Sequence, residues 1–128
     1  MLAAAMQGQP PRIVDQGASA STQTRREVVI RTQAEWDAMI PNLRGGIPQD
    51  AVDFSKEMIV GIFLGSRPTP GYGVTIVGAD EENGVLHVKY RETTPPAGAI
   101  AAQVITFPYE LVAIPKSSAK DVKFEKIP

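Results

Sequence analysis

The sequence predicts an α+β domain, in which a mostly antiparallel, twisted or barrel-like β-sheet of six or seven strands carries one packed α-helix. Residues 58–64 (MIVGIFL) are uncharged and apolar apart from Gly61, which is typical of a strand covered on both faces. Residues 72–77 and 85–91 alternate in polarity with a period of two, as half-buried strands do. Strand–helix–strand units do not recur along the chain, which favours antiparallel pairing.

The N-terminal part predicts a tail and two strands. Residues 1–11 are rich in Ala, Gln and Pro and lack a cationic start, so we expect a disordered tail or the remnant of a signal peptide. Residues 12–128 then form a single domain. Residues 12–14 and 26–31 contain β-branched residues beside charged ones and predict strands, with a small, polar loop at residues 16–24 between them.

The strongest helix signal begins at Thr32. Thr32 and Glu35 fit a capping box, in which each side chain bonds the backbone N–H of the other residue. An apolar stripe follows at helical spacing, made by Trp36, Met39, Ile40 and Leu43. Pro41 is expected to end the regular helix near Ile40. We interpret Trp36 as a core anchor that pins the helix to the sheet, rather than as a ligand-stacking residue.

The remaining elements follow the buried strand. Asn83 and Gly84 tolerate positive φ and predict a tight hairpin between the two alternating segments. Residues 103–107 predict a further strand, which Pro108 interrupts with a bulge or an edge because it cannot donate a ladder hydrogen bond. Residues 109–114 continue this strand, and residues 122–125 predict a short final one.

Composition excludes several classes of function. Thirteen Lys and Arg against fourteen Asp and Glu give a net charge of −1, without the basic patch that nucleic-acid binding needs. The absence of cysteine excludes disulfides, thiolate metal sites and cysteine nucleophiles. The longest apolar run is about seven residues, whereas a membrane-spanning helix needs about 20.

The polar residues give little support for catalysis. His87 is the only histidine, and its place on the polar side of an alternating strand favours a solvated surface residue over a catalytic base. Three acids, Asp80, Glu81 and Glu82, offer oxygen ligands for calcium, but in a hairpin turn they are more often solvated. No phosphate-binding glycine motif is present. We therefore expect neither an enzyme nor a cofactor.

Three segments resemble the protease complex subunit PrcB family. They are TQAEWDAMI at residues 32–40, VDFSKEMIVGIFLGSRPTPGYGVTI at 52–76 and QVITFPYELVAIPK at 103–116, followed by VKFE. The usual family pattern in the central segment is Arg-Pro-Thr-Gly-Gly-Tyr-Ser-Val, from which this chain departs at Pro70 and Gly73. The resemblance implies a non-catalytic, extracytoplasmic accessory module that supports a secreted or surface protease complex through protein–protein contacts.

The loop of residues 67–72 is the predicted partner-binding site. Its candidate residues are Arg67, Pro68, Thr69 and Tyr72. Arg and Tyr are frequent interface hot spots, and prolines restrict the loop backbone. Arg67 either pairs with a carboxylate of the partner or caps the chain's own C-terminal carbonyls. The loop is also similar to the Asn-Pro-Thr-Thr-Gly-Tyr loop of chagasin-like cysteine protease inhibitors, which makes protease inhibition the alternative function.

Overall fold

Within the residues that the structure describes, the fold consists of seven strands and one short helix. The computed structural model describes residues 11–20, 24–40, 52–98 and 103–128. The elements within these ranges are β1 (Arg12–Gly17), β2 (Arg26–Ile30), α1 (Gln33–Met39), β3 (Glu57–Phe63), β4 (Gly73–Glu82), β5 (Val85–Thr93), β6 (Tyr109–Pro115) and β7 (Asp121–Lys126). The predicted α+β class and strand number are confirmed, and the described part of the chain contains one helix, as predicted.

The strands form two sheets rather than one. The first has the order β1-β6-β3-β2 and is antiparallel throughout. The second has the order β4-β5-β7, in which β4 and β5 are antiparallel while β7 runs parallel to β5. The sheet arrangement is therefore mostly antiparallel, as predicted, but the described strands do not close into a barrel.

The central strand β3 is covered on both faces, which confirms the prediction for residues 58–64. Alternate side chains from Met58 onwards pack with residues of β4 and β5 in a core between the two sheets. The intervening Ile59 and Phe63 belong to a second core, which the helix residues Trp36 and Met39 share. The domain thus has three layers, with the four-stranded sheet between the helix and the smaller sheet.

The helix begins with the predicted capping box. Thr32 Oγ1 accepts from the Glu35 backbone N–H (3.2 Å), and the Glu35 carboxylate accepts from the Thr32 N–H (3.2 Å). Trp36 is only 4% exposed, so its role as a core anchor is confirmed. The helix ends at Met39, one residue before the predicted limit; Pro41 and Leu43 lie outside the described residues. In the part of the chain that the structure describes, no helix is long and apolar enough to cross a membrane.

The hairpin between β4 and β5 has the predicted turn. Asn83 and Gly84 adopt φ values of 54° and 79°. Leu86, Val88 and Tyr90 are buried on one face of β5, as their alternation predicts. A bulge between Ile76 and Gly78 shifts the register of β4 against β5, which the sequence did not indicate.

The predicted strand at residues 103–107 is wrong. Only Thr106 and Phe107 form bridges, Thr106 with Arg67 and Phe107 with Ser19. A strand needs a face to bury, but Val104 and Ile105 are both exposed (53% and 63%), and regular pairing begins only after Pro108.

The first strand is longer than predicted. Gln16 and Gly17 were expected to open a loop, but they pair with Glu110 and Tyr109 as the last residues of β1. Of the predicted tail, residues 1–10 lie outside the described residues.

Candidate functional site

The 67–72 loop joins the end of β3 to the start of β4 and thus connects the two sheets. Glycines with positive φ stand near each end, Gly65 (83°) and Gly71 (105°). Between them, Pro68 and Pro70 each fix one φ angle and remove one N–H donor. The sequence therefore leaves this loop little backbone freedom.

One side of the loop is clamped by the segment that leads into β6. The Leu64 N–H donates to the Pro108 carbonyl (2.9 Å), and Arg67 and Thr106 exchange backbone hydrogen bonds of 2.8 and 2.9 Å. The Thr106 hydroxyl also donates to the Thr69 carbonyl (3.3 Å). The loop is therefore held by hydrogen bonds as well as by its prolines.

The Arg67 side chain binds the loop that carries it. Its Nη1 donates to the carbonyls of Leu64 and Ser66, both at 3.0 Å. Its Nη2 lies 4.0 Å from Glu92 Oε1, and its guanidinium carbon lies 5.9 Å from the centroid of the Tyr72 ring. Arg67 thus caps carbonyls of its own loop.

These carbonyls are not the C-terminal ones that the sequence suggested. The carbonyl of Pro128 accepts instead from Arg91 Nε (2.7 Å), just beyond the last paired residues of β5 and β7. The difference arises because a side chain can reach carbonyls of its own turn without ordering a distant segment.

The tip of the loop faces solvent. Pro68, Pro70 and Gly71 are exposed, whereas Thr69 and Tyr72 are half-buried. The antiparallel bridge between Arg67 and Thr106 places the exposed Val104 and Ile105 alongside the loop. We call the exposed apolar set Pro68, Pro70, Val104 and Ile105 the loop-tip surface. Clustering of this kind is more informative than a single exposed apolar residue.

Gly71→Ala should destabilise the domain by about 1–3 kcal/mol, the usual penalty for a backbone held in an unfavourable region. The backbone at Gly71 has φ = 105°, which residues with a side chain rarely adopt. A Cβ at this position would also lie 2.9 Å from Pro95 Cγ. The change in free energy of unfolding is measurable by urea denaturation.

Gly84→Ala is the matched control for this prediction. Gly84 also has positive φ (79°), but a Cβ there would have no atom within 4 Å. Gly71→Ala should therefore be the more harmful change, and removing the ring with Pro95→Ala should recover part of the difference. Equal losses at the two glycines would show that Pro95 does not constrain the loop.

The structure also identifies Glu110, which the sequence analysis did not select. Its side chain is 2% exposed and faces the core between the two sheets, where Oε1 accepts from the Ile76 N–H (2.7 Å). Burial raises the pKa of the Glu110 carboxyl, and the Ile76 hydrogen bond acts in the opposite direction. The available signal was an acidic residue inside the apolar run YELVAI of residues 109–114.

The polar side of the second sheet holds an acid–histidine pair. His87 Nδ1 lies 2.5 Å from Glu125 Oε2, across the parallel pairing of β5 and β7. This hydrogen bond lowers the pKa of the Glu125 carboxyl. Asp80, Glu81 and Glu82 lie nearby on β4, but within the described ranges no three His, Asp or Glu side chains are arranged to hold a metal ion.

In a comparison with known protein families, residues 58–115 match the family described as PrcB C-terminal. Neither the curated proteins nor the solved structures contain a match to the chain. The matched region extends from the second residue of β3 to the end of β6 and includes the 67–72 loop with its clamping segment. The predicted resemblance is confirmed for this region.

Proposed function

We propose, from the match of residues 58–115 to the PrcB C-terminal family, that this chain is a non-catalytic accessory module of a secreted or surface protease complex. It acts outside the cytoplasm and supports the protease through protein–protein contacts. The 67–72 loop and its neighbouring loop-tip surface form the contact site.

The observation that carries this proposal is an exposed loop tip on a tightly held loop. Ordering a mobile loop upon binding lowers affinity, whereas a loop already fixed avoids most of that entropy loss. Here the clamping hydrogen bonds lie at Leu64, Arg67 and Thr69, while Pro68 and Pro70 remain exposed. The loop is therefore preorganised and still accessible.

The loop residues divide into two roles. Pro68 and the exposed part of Tyr72 offer contact area to the partner, and aromatic residues often dominate interface energy. Arg67 and Thr69 hold the loop, because their hydrogen bonds are made within the domain. A partner carboxylate would have to compete with the Leu64 and Ser66 carbonyls for the Arg67 guanidinium.

Combining Pro68→Ser with Ile105→Ser should weaken partner binding by about tenfold or more, which corresponds to about 1.4 kcal/mol or more. The free energy of unfolding should change by less than about 0.5 kcal/mol for Ile105→Ser, whose side chain is exposed, and by up to about 1 kcal/mol for Pro68→Ser, which also frees one φ angle. The measurement is capture from an envelope extract, with the captured proteins identified by mass spectrometry. A protease or its associated subunit should be retained by the unaltered domain.

Ile13→Ser is the matched control, since Ile13 is also exposed but lies on β1, away from the loop. It should leave capture unchanged. Unchanged capture by the double variant would contradict the assignment of the loop-tip surface. Assaying the captured protease separates the accessory function from inhibition, because an accessory module preserves or raises proteolysis, whereas an inhibitor suppresses it in proportion to its occupancy.

A further inference from the structure

Residues 106–110 contact the chain on both sides of the 67–72 loop. At the entry to the loop, Leu64 donates to the Pro108 carbonyl, and Arg67, the first loop residue, pairs with Thr106. After the loop, Ile76 donates to the Glu110 carboxylate, four residues beyond Tyr72. A short segment thus fixes both the entry to the loop and the start of β4.

The two attachments differ in chemistry. The entry is held to this segment by main-chain groups that do not titrate, whereas the start of β4, which pairs with β5 along one edge, is held to it by a buried carboxyl. A carboxyl enclosed between two sheets is stable in its neutral form and poorly solvated in its ionised form. The exit of the loop is therefore the attachment that can respond to pH.

We propose that Glu110 is a proton-responsive latch that controls how readily the start of β4, and with it the 67–72 loop, separates from β6. The latch is closed when Glu110 carries its proton. Ionisation favours opening, because separation of β4 from β6 returns the carboxylate to water. The effect of this latch on partner binding rests on the proposed function of the 67–72 loop.

The surroundings of Glu110 support this direction. Its neighbours across the four-stranded sheet are Gln16 and Ile62, neither of which is charged. Ile76, which donates the hydrogen bond, belongs to the apolar core between the sheets. Burial is the largest influence on the pKa of Glu110 and raises it, while the Ile76 amide lowers it.

The charged groups on this side of the domain are engaged with one another. The titratable and charged side chains there are Glu27, which shares the sheet face of Ile62 and Glu110 and pairs with Arg25 at 3.2 Å, together with Tyr90, Arg25, Glu92, Arg67 and Lys126. The Tyr90 hydroxyl accepts from Arg25 Nη2 at 2.8 Å. Glu92 Oε1 lies 4.0 Å from a side-chain nitrogen of both Arg67 and Lys126.

Thermodynamic linkage fixes the sign of the pH effect. The closed state has the higher Glu110 pKa and therefore binds more protons than the open state. Its advantage is complete below the ordinary pKa of a glutamate and is lost as the pH rises through the pKa of the closed state. Within that interval, release of one proton changes the opening equilibrium by at most about tenfold per pH unit.

Amide hydrogen exchange of the whole domain from pH 5 to pH 8 tests the latch. Protection factors corrected for intrinsic exchange should fall with rising pH at Ile76, whose N–H donates to Glu110, by up to about tenfold per pH unit. Glu110→Gln keeps a side-chain carbonyl to accept from Ile76 but cannot ionise, so its protection should not vary with pH and should exceed that of the unaltered domain at pH 8.

Glu82→Gln is the matched control, because it makes the same chemical change at an exposed position near the other end of β4. It should reproduce the unaltered pH profile. A pH profile in Glu110→Gln that equals the unaltered one would overturn the proposal. So would a carboxyl ¹³C titration of Glu110 in the unaltered domain with an ordinary midpoint, a measurement that does not require the variant to fold.

Failure of the latch and failure of the proposed function are distinguishable. The exchange experiment needs no partner, so it tests the latch alone. Capture with the Pro68→Ser and Ile105→Ser variant tests the loop-tip surface alone. If protection falls with pH as expected but this variant captures the partner as well as the unaltered domain, the latch is supported and the loop-tip surface is not the contact site.

Discussion

Trp36→Ala is expected to lower the free energy of unfolding by about 3–5 kcal/mol, the range for removal of a buried aromatic side chain. Trp36 is 4% exposed and lies in the core that joins the helix to the four-stranded sheet, with Ile59, Phe63 and Leu111. The helix has only seven residues, too few to be stable without packing. The loss should therefore include the docking of the helix as well as the side-chain burial.

Urea unfolding, followed by circular dichroism because the variant lacks tryptophan fluorescence, measures this loss. Asp37→Ala is a control on the same helix, at an exposed position, and should change stability by less than about 0.5 kcal/mol. Trp36→Phe should fall between the two, since it retains an aromatic ring. A loss below about 1 kcal/mol for Trp36→Ala would show that the helix contributes little to the core.

The elements that sequence predicted best are those with a local cause. The capping box at Thr32 and Glu35 needs only four residues, and the turn at Asn83 and Gly84 only two. Burial of residues 58–64 on both faces also followed from composition alone. The segment has no charged residue, which would have had to be buried if the strand packs on both faces.

Features that depend on distant partners were not predictable in the same way. The membership of the second sheet depends on the pairing of β7 with β5, between segments more than 30 residues apart. The failure of residues 103–107 to form a strand likewise depends on which neighbours the chain supplies. Pattern alone cannot distinguish an apolar segment that pairs from one left exposed.

The candidate site shows the same division. Proline and glycine placement predicted a constrained loop at residues 67–72, and the structure places Pro68 at the exposed tip. The carbonyl contacts of Arg67 depend on the turn that Gly65 permits. The bond between Glu110 and Ile76 joins residues 34 positions apart, so the apolar run around Glu110 could indicate its burial but not its partner.

Gly61→Val should destabilise the domain by about 3 kcal/mol or more, at or above the upper end of the usual range for overpacking. Gly61 lies at the centre of β3, where the absent side chain leaves room for Leu111 of the neighbouring strand. A Cβ there would lie 2.1 Å from Leu111 Cδ2, 3.0 Å from the Glu110 carbonyl oxygen and 3.1 Å from Val28 Cγ2.

These neighbours cannot move aside easily. Leu111 is fully buried, and the Glu110 oxygen is part of the sheet backbone, so relief requires displacement of β6 or β2 rather than a rotamer change. The same backbone carries Glu110 towards Ile76, and hence displacement of β6 should also disturb the exit of the 67–72 loop. The valine should therefore affect both cores.

Gly78→Val is the matched control, because it makes the same substitution in a strand where a Cβ would have no atom within 4 Å. Valine is favoured in strands, so this variant should be close to neutral. In a double-mutant cycle, Leu111→Ala should reduce the loss caused by Gly61→Ala, since it removes the atom that the new Cβ would meet. Additive effects of these two changes would mean that Gly61 is required for a reason other than space for Leu111.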